Sequence, residues 1–178
     1  MSKAKNIGVF GKRNSGKSSL INIISGEDVA IVSEIPGTTT DPVRKRMEVF
    51  GIGPVSFIDT AGIDDSGDLG TQRVARTKRV ISQIDLALLL FTDNQFDKFE
   101  TDLIVLFKKE QIPFIIIHNQ SDIIAMDQAL ALELTEMYNS DVLEFSCSLL
   151  DDLKQKELIE TLTALIVKNI QGSALTEI

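Results

Sequence analysis

One cysteine, Cys147, and one histidine, His118, are all the thiol and imidazole chemistry that this chain of 178 residues contains. A lone thiol closes no internal disulfide, so a reducing, cytoplasmic setting is expected. One Cys and one His, well apart in sequence, also supply too few ligands for a thiolate–imidazole metal centre. Basic residues are the minority: 18 Lys and Arg stand against 26 Asp and Glu, for a net charge of −8. A general binder of nucleic-acid backbone needs a basic face, so no nucleic-acid partner is expected. Long apolar runs are missing too. The longest are the size of a strand, which gives no reason to expect a membrane partner. The opening Met1-Ser2-Lys3-Ala4-Lys5-Asn6 is polar and has no leader-like apolar region. Internal repeats and low-complexity segments are lacking.

What is present is ordinary for one globular domain: 43% hydrophobic and 25% charged residues. The length suits a single domain over 1–171, with 172–178 as a frayed tail or the start of a linker. Short apolar runs alternate with amphipathic stretches. Strands are expected over about 6–10, 43–50, 55–59, 85–91, 113–117 and 142–145. Helices are expected over about 17–25, 70–83, 98–110, 126–138 and 152–169. The stripe of the 70–83 helix is read as Val74, Val80, Ile81 and Ile84, with Arg73, Arg76, Lys78 and Arg79 on a solvated outer face. The last helix is read as turning Leu153, Leu158, Leu162, Leu165 and Ile166 inward. Gly51-Ile52-Gly53-Pro54 signals a hairpin, so one strand is antiparallel. The expected fold is α/β: a doubly wound, mostly parallel six-stranded sheet with one antiparallel edge strand and helices on both faces.

The stretch that organises the chain is Gly11-Lys12-Arg13-Asn14-Ser15-Gly16-Lys17-Ser18-Ser19, between the first strand and the first helix. Its spacing fits G-x-x-x-x-G-K-[ST]. The glycines let backbone N–H groups close on phosphate oxygens, helped by the free N–H groups of the helix start. Lys17 adds charge toward the β- and γ-phosphates, and the Ser18 hydroxyl is a hard ligand suited to magnesium. In doubly wound sheets ligands bind beyond the carboxyl ends of the strands. There stand Asp59-Thr60-Ala61-Gly62, Asn119-Gln120-Ser121-Asp122 and Ser146-Cys147-Ser148. Asp59 is placed to hold magnesium through water, and Gly62 to turn an N–H toward a terminal phosphate. A carboxylate at Asp122 would accept two hydrogen bonds from the adjacent N1–H and N2–H donors of guanine. Asp122 or Ser121 would serve equally well as a helix N-cap.

These motifs, with Thr39 in a long Pro- and Gly-bearing loop over about 27–42, resemble a translation-factor-type small GTPase domain in order and spacing. The resemblance implies nucleotide contacts at Gly11, Asn14, Ser15, Gly16, Lys17, Ser18 and Ser19 in the phosphate loop. It extends them to Thr39, Asp59, Gly62, Asn119, Asp122, Ser146 and Cys147. Ser18, Thr39 and Asp59 would serve magnesium, and Lys17, Thr39, Gly62 and Asn14 the hydrolysis of GTP to GDP. Two departures weaken the implied grip on guanine: Gln120 stands where the family has Lys, and Ser-Cys-Ser replaces Ser-Ala-Lys. Ile63 occupies the place of a water-orienting glutamine, and its hydrocarbon cannot hydrogen-bond water, which implies a slow intrinsic rate. Asn14 matches an asparagine that helps bind potassium in GTPases of tRNA modification, ribosome assembly and iron transport. A purely structural role in the loop is the other reading.

The longer match, Gly37 to Val43, Met47-Glu48-Val49 and Gly70-x-x-Arg73-Val74, is similar to the GTPase domain of the iron-only hydrogenase maturation scaffold family. That resemblance implies a switch domain that gates radical-SAM maturases and delivery of a di-iron precursor to the hydrogenase. It implies no iron–sulfur cluster in this chain, and allows a dimer of such domains. The alternatives are the GTPase domain of a tRNA-modification or ribosome-assembly GTPase, or a nucleotide-gated binding module whose turnover is dispensable.

Overall fold

The computed structural model describes residues 3–26, 43–60 and 71–176. A six-stranded sheet has strand order β2-β3-β1-β4-β5-β6. The strands are β1 (Lys5–Gly11), β2 (Val43–Val49), β3 (Gly53–Asp59), β4 (Leu86–Phe91), β5 (Phe114–His118) and β6 (Val142–Glu144). β2 pairs antiparallel with β3, and the other pairings are parallel. The expected architecture, including the antiparallel edge strand, is therefore the one found. Five helices are described: α1 (Lys17–Ser25), α2 (Thr71–Ile81), α3 (Lys98–Lys109), α4 (Gln128–Tyr138) and α5 (Asp152–Thr176).

The central strands read as unbroken apolar runs because both sheet faces are covered. Period-two alternation sends their side chains into two cores. Leu86, Leu88 and Leu90 of β4 join Ile7 and Val9 of β1 and Ile115 and Ile117 of β5. α1 and α5 cover that face with Leu20, Ile24, Leu162, Ile166 and Ile170. Ala87, Leu89 and Phe91 turn to the other face, with Phe10 and Ile116, under Ile81 of α2, Phe107 of α3 and Leu134 of α4. Among the described residues no helix is long and apolar enough to cross a membrane.

Three expected boundaries and two expected inward residues differ. α5 runs on to Thr176, through Gly172. The apolar spacing explains it. Leu162, Ile166 and Ile170 recur every fourth residue and keep the helix on the core, so one glycine, worth about 1 kcal/mol against alanine, does not stop it. α4 begins at Gln128 rather than 126 because the Asp127 carboxylate caps it, accepting from the Ala129 and Leu130 N–H groups. β6 is cut to three residues. Val74 and Leu153 are exposed, at 44% and 67%. The buried line of α2 is Thr77, Val80 and Ile81 instead, and α5 starts beyond the sheet edge.

His118 closes β5 and is wholly buried. Its Nε2 accepts from the Asn94 N–H at 3.3 Å, so the neutral ring carries its proton on Nδ1, which donates to Ser121 Oγ at 2.8 Å. Ser121 Oγ donates in turn to the His118 carbonyl at 3.1 Å. Burial pushes the imidazole pKa below 6.5, against the opposing pull of the Glu144 and Asp93 carboxylates.

Two outcomes follow. Leu88→Ala opens a cavity in the α1–α5 core and should cost about 2–5 kcal/mol in urea denaturation. The unfolded chain takes a proton on His118 below pH 6.5 while the folded chain does not, so this stability is complete above pH 6.5 and drains as pH falls below it. Between pH 7 and 5.5 the thermal midpoint should fall more steeply for the wild type than for His118→Gln, and the single imidazole resonance should stay neutral at pH 6.5.

Candidate functional site

β1 lies between β3 and β4, where the chain crosses from one side of the sheet to the other. The register brings the carboxyl ends of the inner strands level: Val9 pairs with Asp59, Gly11 with Leu90, and Phe91 with His118. Three loops therefore meet at one edge. The phosphate loop needs unusual backbone: Asn14 has φ +64° and Gly16 φ +92°. A Cβ on Gly16 would run into Asn119 Nδ2, so only glycine fits the approach of these loops. The Lys17 ammonium is buried and donates to the Gly11 and Lys12 carbonyls at 2.7 and 2.9 Å. Ser18 Oγ donates to Asp59 Oδ2 at 2.5 Å. Ser15 Oγ is buried and has no hydrogen-bond partner among the described residues. Arg13, Asn14, Gly16, Lys17, Ser18, Ser19 and Gln120 line a cleft of about 480 Å³.

The second group sits on the turn after β5. Asn119 is buried; its Nδ2 donates to the Ser15 carbonyl at 2.9 Å, and its N–H to the Phe91 carbonyl. Asp122 is exposed and accepts from Ser146 Oγ at 2.6 Å. It caps no helix, since Asp127 caps α4. Cys147 Sγ lies 3.7 Å from Asn119 Oδ1, and burial raises its thiol to about 11, so it stays protonated and unreactive. The structure thus brings together Gly11, Asn14, Ser15, Gly16, Lys17, Ser18, Ser19, Asp59, Asn119, Asp122, Ser146 and Cys147 along one edge. Thr39, Gly62 and Ile63 lie outside the described residues, as does the 27–42 loop.

The site fits a magnesium–nucleotide ligand on three observations. An orphaned buried hydroxyl points into the loop, the loop backbone leaves no room for a Cβ, and a hydroxyl and a carboxylate stand side by side as hard oxygen donors.

Two contacts were not anticipated. Gln120 Nε2 donates to the Asn14 carbonyl at 2.9 Å, tying the base-side turn to the phosphate loop. Lys12 Nζ pairs with Asp97 Oδ2 at 2.8 Å and Glu100 Oε1 at 3.4 Å, joining the loop to the first turn of α3. Burial alone would lower the Lys12 pKa, but Asp97 and Glu100 together raise it. Asp97 and Glu100 also form a capping box, whose D-x-x-E spacing is legible in sequence.

A family model described as 50S ribosome-binding GTPase matches residues 6–120. The chain is 44% identical over 122 residues to the tRNA modification GTPase MnmE of Nitrosomonas europaea, a match covering 67% of this chain and 27% of that protein. It is 37% identical over 120 residues to the MnmE of Neisseria gonorrhoeae, covering 66% and 26%. The chain thus spans about a quarter of the length of the curated relatives it matches. The fold is similar to Aquifex aeolicus Era bound to GDP·AlF4⁻, with TM-score 0.66 and 22% identity over 92% of this chain and 57% of that one. It is equally similar to Era in complex with MgGDPNP and nucleotides 1506–1542 of 16S ribosomal RNA, at TM-score 0.66 and 24% identity over 93% and 57%.

These findings overturn two expectations. The hydrogenase-maturation reading falls, together with its radical-SAM maturases, its hydrogenase and its role in metal-cluster assembly, because the curated relatives are tRNA-modification GTPases. Of the residues behind that reading, 37–42 and 61–70 lie outside the described residues, and Met47-Glu48-Val49 pairs with Val55, Pro54 and Gly53 at the end of the hairpin away from Asp59. The exclusion of nucleic acid falls as well, since one similar structure holds ribosomal RNA and the relatives modify tRNA by name. Net charge is a sum, and a sum hides where the charges sit. The family match starts in β1 and ends at Gln120, enclosing the phosphate loop and reaching Asn119, and on it the chain belongs to the 50S ribosome-binding GTPases: it takes guanine nucleotide with magnesium and hydrolyses GTP.

Proposed function

We propose that this chain is the GTP-hydrolysing switch of a tRNA-modification GTPase. The 44% identity over 122 residues to a protein of that name is the observation behind it. The loop N–H groups and Lys17 take the β- and γ-phosphates. Lys17 exchanges its two carbonyl partners for phosphate oxygens, and Ser15 Oγ gains the partner it lacks. Ser18 and Thr39 ligate magnesium, with Asp59 behind them through water. When bound, the ion neutralises charge that builds on the phosphate oxygens. The short Ser18–Asp59 hydrogen bond supports this pairing, since both groups already occupy one small volume.

Asp122 accepts from guanine N1–H and N2–H, and Ser146 holds the carboxylate in place. Asn119 keeps the base-side turn against the phosphate loop, beside the Cys147 segment. Gln120 supplies the tether to Asn14 without a cation over the base, which favours a weaker hold on guanine. Gly62 reads the γ-phosphate through its N–H. Ile63 orients no water, so the intrinsic rate is slow and compensation comes from elsewhere. Asn14 is the candidate potassium ligand, and that ion would add positive charge where it develops against the transferring phosphoryl group. Asn14 is exposed at the mouth of the cleft with its carbonyl already fixed by Gln120.

GTP turnover should be roughly tenfold or more faster in potassium chloride than in sodium chloride at equal ionic strength. Asn14→Ala should remove the difference, and equal rates in the two salts would remove the potassium assignment. Lys17→Ala should abolish turnover in both. For the tRNA role, this chain can be grafted in place of the matching stretch of the Nitrosomonas europaea relative and expressed in cells lacking that protein. Restored modified nucleosides, by mass spectrometry of bulk tRNA, are expected; a graft that turns over GTP yet restores none counts against that role.

A further inference from the structure

Among the described residues, charge is split in space; seven further carboxylates before Ile84 lie in 27–42 and 61–70, outside them. Up to Ile84 the described residues hold twelve Lys and Arg against two carboxylates, Glu48 and Asp59. From Asp85 to Thr176 they hold six Lys and Arg against sixteen carboxylates. The sheet order converts this into geometry. β2, β3, β1 and α2 form the basic side, while β5, β6, α4 and α5 form the acidic side.

Within the basic side, Lys3, Lys5, Arg46, Lys78 and Arg79 lie toward the foot of the sheet, away from the nucleotide edge, and the Arg44 side chain reaches toward them from the strand row next to Asp59. Arg44 and Arg46 of β2 pair with Ile58 and Ser56 of β3, so both project on the face that carries α2. Arg44 reaches across to donate to Gln83 Oε1 at 2.8 Å, just past the end of α2. Lys3, Lys5 and Arg44 line a cleft of about 570 Å³ with Ser82 and Gln83. Lys78 and Arg79, exposed on the last turn of α2, stand beside it. Two carboxylates are close. Asp85 lines the cleft, but its Oδ2 already accepts from the Asn6 N–H at 2.8 Å. Glu48 lies two residues beyond Arg46 on the same strand.

We propose that this foot, built from Lys3, Lys5, Arg44, Arg46, Lys78 and Arg79, is a docking surface for an RNA phosphate backbone. Cationic side chains spread on both sides of a cleft match a chain of evenly spaced phosphates better than one compact anion. The choice of RNA over other polyanions rests on the tRNA-modification reading, which this surface deepens. Because the surface lies at the amino ends of β1 and β4, it acts apart from the phosphate loop. Its groups are mostly side chains of regular elements, so the surface is preformed. Its affinity is set by charge and is therefore steeply salt-dependent.

The test is anisotropy of a fluorescein-labelled 20-nucleotide single-stranded RNA titrated with the whole chain in potassium chloride from 50 to 200 mM. Six phosphate contacts predict a slope of log K against log salt of about −4. Arg44→Glu with Arg46→Glu should weaken binding at least about tenfold and flatten the slope by about 1.4 or more. Lys154→Glu with Lys156→Glu, on the acidic side, changes net charge equally and should have little effect. Equal losses in the two pairs, or no binding at 50 mM, overturn the proposal. So does binding of a poly-glutamate peptide as tight as that of RNA, which marks an acidic protein segment as the partner. A salt-sensitive dimer in sedimentation that Arg44→Glu with Arg46→Glu dissolves would assign the surface to the acidic side of a second copy, and would also overturn it. GTP turnover measured on the same samples separates the readings: turnover intact with RNA binding absent sinks only this surface, whereas absent wild-type turnover sinks the switch assignment.

Discussion

The hydrogen bond from Asn119 Nδ2 to the Ser15 carbonyl joins residues 104 positions apart, and the nucleotide edge depends on it. It fixes the distance between the loop that faces phosphates and the turn that faces the base. Its geometry is set by strand register, since Gly11 pairs with Leu90 on β4 and Phe91 pairs with His118 on β5. Both partners are buried, so breaking the bond would strand polar groups away from water, which costs about 1–3 kcal/mol. Gln120 adds a parallel tether to Asn14 from the next residue. Two neighbouring side chains of one turn thus hold two neighbouring carbonyls of the phosphate loop.

A second constraint works from the other side of the loop. Lys12 is pinned to Asp97 and Glu100, which also cap α3. Glu100 is completely buried, and burial raises its carboxyl pKa even with Lys12 nearby. Phe99 of that same helical turn receives the Arg73 guanidinium at 4.8 Å from its ring centre. α2, α3 and the phosphate loop are therefore in mechanical contact through three consecutive polar and aromatic interactions. The residues just before α2 follow the Asp59 strand end, so the start of α3 is where movement of α2 would reach the loop. His118 plays the matching part on the base side, holding Ser121 from beneath while remaining neutral.

The family assignment and the charge map correct the same habit of reading. A whole-chain net charge of −8 suggested a protein indifferent to nucleic acid. Twelve of its eighteen Lys and Arg precede Asp85, and the strand order keeps that stretch, β2, β3 and β1, on one side of the sheet. In the same way, identity over 122 residues outweighed the short motifs that had pointed to hydrogenase maturation, and pointed to tRNA modification.

By itself the sequence determined the α/β layering, the hairpin, and the phosphate loop with its partner motifs. Each of these rests on short-range chemistry: apolar periodicity, glycine at sharp turns, and fixed spacing between a strand and the helix behind it. Tertiary structure alone decided how far α5 runs, which faces of α2 and α5 are buried, and that Asp127 rather than Asp122 caps α4. It also decided that Gln120 binds Asn14, that Lys12 binds the start of α3, and that Arg44 lies against the end of α2. These outcomes depend on strand register and on groups far apart in the chain. No local pattern encodes them, because a side chain's partner is fixed only once the sheet has brought distant strands side by side.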